Sequence, residues 1–135
     1  MKNEELLHYA WQYQIYTKHL LSTDEGHTLS IFKTGMPHVH AGPDFLNAQM
    51  LIDNLHWAGH VEVHIFSSDW YRHRHHVDPN YDNVILHVVW ENDKPVVRQD
   101  GTLLPTLSLK SRLPTNLADL PYPKAIWHYA RGMAF

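Results

Sequence analysis

The chain has 135 residues, 44% of them hydrophobic, with a formal net charge of −3 and no cysteine. That length suits one domain with its own core, and the missing thiols exclude disulfides and thiolate zinc sites. The charge gives no global attraction to nucleic acid, residues 1–5 lack an apolar signal-type segment, and no run is long enough to span a bilayer. A soluble, cytoplasmic protein without a membrane partner is expected. Histidine is the compositional outlier, with 13 residues.

Leu7, Trp11 and Ile15 recur every four residues, with Leu6, Ala10 and Tyr13 beside them, and this spacing predicts a helix over 4–20. Asn3 suits its N-cap, and Glu4 and Glu5 its first turn. Residues 28–33 alternate as a short strand. A loop with Gly35, Pro37 and Gly42-Pro43 leads to strands over 44–52 and 55–66, joined at Asp53-Asn54. Ser67 or Ser68 then caps a helix to about His76, which Asp78-Pro79 ends. The near-continuous apolar run 83–91 reads as a central strand buried on both faces and parallel to its predecessor. Val96-Val97, an Asp100-Gly101 turn and residues 103–109 suggest a hairpin. Pro114, Pro121 and Pro123 punctuate an arm, and Ala125 opens a helix-like segment. The expected organisation is an α+β (mixed α/β) domain over 1–111: helix, three-strand meander, helix, parallel fourth strand and appended hairpin. Residues 112–135 form the arm and the start of a further segment.

Two stretches carry the chemistry. Asp44 follows the Gly42-Pro43 turn at the mouth of an apolar strand. Glu62 and His64 are alternate residues of the next strand and share a face. Two carboxylates and a nitrogen base meeting at one point can hold a divalent cation and a water molecule.

In these residues the chain resembles the PD-(D/E)XK nuclease superfamily, a restriction-endonuclease-like sandwich of helix, three-strand meander, helix and fourth strand. Pro43-Asp44 matches the first half of its motif and Glu62-Val63 most of the second, with His64 standing where that family has Lys. A longer pattern, Ala-Gly-Pro-Asp-Phe, Gly-His-Val-Glu-Val-His, Ser-Ser-Asp-Trp-Tyr and Asp-Pro-Asn-Tyr-Asp-Asn-Val-Ile-Leu-His-Val-Val, also resembles a domain-of-unknown-function family over residues 4 to about 110. The first resemblance implies hydrolysis of nucleic-acid phosphodiesters. Asp44, Glu62 and the Val63 carbonyl would bind Mg²⁺ or Mn²⁺, and His64 would orient the attacking water. A shorter, mostly neutral His64 could instead favour Zn²⁺, or mark an inactive nucleic-acid-binding or interaction module on the same fold.

Register sets a condition on this reading. A two-residue Asp53-Asn54 turn pairs Ile52 with Leu55 and sends Asp44 to the wrong face. Convergence needs a three-residue turn or a bulge, for which Gly59 near Ala58 is the expected position.

Other histidines admit plainer readings. His38-Val39-His40 before Asp44 resembles a cupin metal motif; in the nuclease reading His38 and His40 instead line the substrate approach. His60 shares the Glu62 face as a possible ligand or substrate contact, or simply hydrogen-bonds a neighbour. Arg72 and Arg74, with His73, His75 and His76, offer phosphate contacts or a solvated helix face. Trp70 and Tyr71 suit a core, and His87 reads as a satisfied core histidine within reach of Glu62.

Overall fold

The computed structural model describes residues 4–113. It confirms an α+β architecture: one mixed, curled sheet with two helices. Helix α1 spans Glu4–Gln12. Strands β1 (Leu29–Lys33), β2 (Met36–Pro37), β3 (Phe45–Ile52) and β4 (Leu55–Phe66) follow. Helix α2 (Asp69–Arg72) and two 3₁₀ turns, His75–Val77 and Pro79–Tyr81, lead to β5 (Val84–Glu91) and β6 (Thr106–Ser108). The sheet order is β1-β3-β4-β5-β6, with β2 paired to β3. β1, β3 and β4 form the antiparallel meander, and β5 lies parallel to β4.

Helix α1 stops eight residues short of the predicted end. Ile15 N–H bonds to Ala10 O at 2.9 Å and Gln14 N–H to Trp11 O at 3.1 Å, with Gln14 left-handed at φ 51°. This is a Schellman termination with glutamine where glycine is usual. The second helix is shorter than predicted too, because Arg74 turns left-handed at φ 60°. The expected hairpin is reduced to a single bridge between Val97 and Leu103, after which β6 joins β5 in parallel. Leu113 packs into the core, so the folded body reaches at least that residue. The Asn3 cap, most of the proline-rich arm and the helix from Ala125 lie outside the described residues.

Leu7, Ala10 and Trp11 of α1 pack on Phe45, Met50, Val61, Val63, Leu86 and Val88. A smaller cluster of Trp70, Val84, Val96 and Leu104 forms around α2. The pleat gives β4 two covered faces, so Glu62 and His64 are buried together with Val61 and Val63. Among the described residues no helix is long and apolar enough to cross a membrane.

Candidate functional site

The turn between β3 and β4 does have two residues, Asp53 and Asn54, both left-handed, and Ile52 pairs with Leu55. The slip that convergence requires is present, but not at Gly59. It lies in β3, where Leu46 and Asn47 together face His60 between the Ala48–Gly59 and Phe45–Val61 pairs. Asn47 takes φ 60°, and its N–H bonds to His60 Nδ1 at 3.2 Å. One step beyond Phe45–Val61, Asp44 therefore arrives opposite Glu62. Gly59 serves another purpose: a Cβ there would lie 2.5 Å from Ile85 Cγ2 and 2.6 Å from Asn83 O. β5 carries its own extra residue, Ile85, at that crossing.

The site lies at the residue before the start of β3. The Val63 N–H donates to Asp44 Oδ2 at 2.9 Å, and the Asp44 N–H donates to Glu62 Oε1 at 3.0 Å. Glu62 thus caps the backbone of Asp44, Asp44 caps the backbone just after Glu62, and the protonated Glu62 side chain donates to the Asp44 carboxylate. Burial first, then the Asp44 charge, pushes the Glu62 acid up to about 10. Burial likewise raises Asp44, against the opposing pull of His8. The Asp44 side chain keeps 20% of its surface exposed, whereas Glu62 keeps 6%.

His8 of α1 was not predicted as a site residue. Its Nε2 lies 3.6 Å from Asp44 Oδ2 and 3.7 Å from Glu4 Oε1. Burial lowers its pKa, but Glu4 and then Asp44 outweigh burial and leave it raised. The signal was present in the sequence: His8 and Glu4 are one helical turn apart on one face of α1.

On the other side of Glu62 the histidines gather. His75 Nε2 is 2.9 Å from Glu62 Oε2, and His64 Nε2 is 3.4 Å from the same oxygen. His64 Nδ1 and His87 Nε2 share a 2.8 Å hydrogen bond. Burial first, then neighbouring imidazoles, lowers His64 to about 2, His87 to about 3 and His75 to about 4. These three rings are therefore neutral at pH 7. Tyr81 stacks on His75 with ring centroids 3.7 Å apart.

His73 and His75 do not sit on a solvated helix face as the sequence suggested. The left-handed Arg74 between them turns both rings onto His64, with centroids 5.0 and 5.2 Å away. One ligand atom from each of His64, His73 and His75 lies within 4.8 Å of the others. The remaining predicted contacts are not drawn in. His38 bonds to Ala41 O within the exposed loop and packs edge-on to His40. His60 is engaged by Asn47, Arg72 pairs with Asp69, and Arg74 is exposed. The described strands form a sheet running from β1 to β6 rather than a cupin barrel.

No curated protein and no solved structure matches this chain. A family model does match, over residues 4–125, and so covers α1, the whole sheet and every residue of the site. The chain belongs to the family described as protein of unknown function (DUF2851).

Proposed function

We propose that the protein is a divalent-metal-dependent hydrolase acting on phosphodiesters of nucleic acid, with Asp44 and Glu62 at its centre. The supporting observation is the contact of two acids, Asp44 immediately before the start of β3 and Glu62 on the adjacent β4. A buried pair of this kind cannot ionise fully without a counter-cation. The raised Glu62 acid expresses that strain, and Mg²⁺ or Mn²⁺ bound by oxygen would relieve it. Asp44 and Glu62 would hold the cation. When bound, it polarises the scissile phosphate and lowers the pKa of its water.

The chain's own residues supply the rest. His64 is neutral and buried, so it cannot furnish the charge of the Lys it replaces. His8, beside Asp44 with its pKa raised by Glu4 and Asp44 against burial, would when protonated offset negative charge developing on the phosphate. His64 holds Glu62 from behind and accepts a proton only at the cost of burial. The half-open Asp44 marks the side from which substrate approaches.

Incubation of the purified chain with single- and double-stranded DNA and RNA in Mg²⁺ or Mn²⁺ tests this reading. Cleavage should require the metal and fall at least 100-fold in Asp44→Asn, about the size of a lost electrostatic contact in catalysis. Metal-independent cleavage, or none with any substrate, refutes it. A second reading, a non-catalytic nucleic-acid-binding or interaction module, draws on the neutral, hydrogen-bonded state of His64. It predicts nucleic-acid binding that neither metal nor Asp44→Asn alters.

A further inference from the structure

We propose a second metal site on the far side of Glu62, built by His64, His73 and His75 with water as fourth ligand, for a borderline transition cation such as Zn²⁺. It goes beyond the hydrolytic reading and does not depend on it. Three imidazole nitrogens form a donor set that suits Zn²⁺ or Co²⁺ and is too rich in nitrogen for Mg²⁺.

Three independent features converge on it. The ligand nitrogens of the three histidines already lie within 4.8 Å of one another. His75 Nε2 is buried and 2.9 Å from Glu62 Oε2, yet forms no hydrogen bond. A buried imidazole nitrogen without a hydrogen-bond partner is open to an ion. Finally, His87 holds His64 by Nδ1, which leaves Nε2 facing Glu62. A second residue fixing the ring orientation of a ligand is the usual support of a metal-bound imidazole.

The backbone is bent to make the cluster. Arg74 is a non-glycine residue in the left-handed region, a conformation that costs about 1 kcal/mol. Without that turn, His73 and His75 would continue along a helix on successive sides and could not both reach His64. His73 is exposed and closes the set from the solvent side, giving the ion a way in.

The test uses the full chain freed of metal by EDTA. Zn²⁺ is titrated by calorimetry, and Co²⁺ is added to read its visible absorption, which is intense only in a tetrahedral field. One ion per chain should bind with a tetrahedral cobalt spectrum. His73→Ala, at an exposed position, should weaken binding at least 10-fold and abolish that spectrum. His38→Ala, in the exposed loop, should leave both intact, and His87→Gln should weaken binding 10- to 100-fold. No tetrahedral spectrum in the wild-type chain, or Zn²⁺ affinity unchanged in His73→Ala, overturns the proposal. Zinc binding without nucleic-acid cleavage supports this site while refuting the hydrolytic reading. Metal-dependent cleavage with no zinc bound does the reverse.

Discussion

Glu62→Gln in the metal-free protein probes the acid pair directly. Burial and Asp44 raise the Glu62 acid from 4.5 to about 10. An acid raised on folding favours the fold fully below pH 4.5, and that support is lost as the pH climbs toward the folded value. Each pH unit above the unfolded value withdraws about 1.4 kcal/mol. At pH 7 the folded state therefore forgoes about 3 kcal/mol, whatever the upper value, provided it stays above neutrality. Glutamine keeps the shape and has no proton to release. Its carbonyl can accept from the Asp44 N–H as Oε1 does, but the proton shared with Asp44 is lost, at about 2 kcal/mol. The variant should thus be more stable than wild type by about 1 kcal/mol at pH 7 and less stable near pH 5. Urea unfolding in EDTA at several pH values between these measures the difference. Its slope, about 1.4 kcal/mol per pH unit, is the critical readout. A difference that does not vary with pH would mean that Glu62 folds ionised and would refute the reasoning.

Acid acts through the opposite residues. His64, His87 and His75 are lowered by burial, so their support is present above the ordinary value of 6.5 and lost as pH falls toward about 4. The three histidines together should withdraw about 4 kcal/mol per pH unit below 6.5, of which Glu62 returns about 1.4 down to pH 4.5, and urea unfolding of His87→Gln should show the slope reduced by about 1.4 kcal/mol per unit. Gly59→Ala places a methyl against Asn83 O and Ile85, and thermal unfolding should show a loss of about 3 kcal/mol. Arg74→Gly relieves a left-handed backbone and should raise stability by up to about 1 kcal/mol with Zn²⁺ affinity unchanged. A fall in nucleic-acid affinity in that variant would identify the guanidinium as a phosphate contact.

β4 was legible to the residue, because Trp57, Val61, Val63 and Ile65 alternate with polar neighbours and Asp53-Asn54 marks the turn. The parallel β5 followed from its unbroken apolar run. The ends of both helices were not legible, for one shared reason. Gln14 and Arg74 take the left-handed conformation that sequence reading associates with glycine or asparagine. Extending α2 through His76 placed His73 and His75 on a solvated face and hid the imidazole cluster. Sequence demands a bulge to align Asp44, and glycine's reputation points to Gly59. Asn47, a residue tolerant of positive φ, was the better candidate. Residue types place His87 in a buried strand parallel to β4 and within reach of Glu62; its pairing directly opposite Glu62 is set by the β4–β5 register, which they do not fix.

Glu62 presents one oxygen to Asp44 and the other to the imidazoles. A carboxyl shared in this manner links events on its two flanks. A cation captured by the histidines would expel the Glu62 proton and remove the hydrogen-bond donor on which Asp44 relies. Asp44 would then be left a bare anion beside another, with greater hunger for a cation of its own. Thermodynamic reciprocity requires the converse as well: an ion seated first at Asp44 must raise affinity for one on the histidine flank by the same factor.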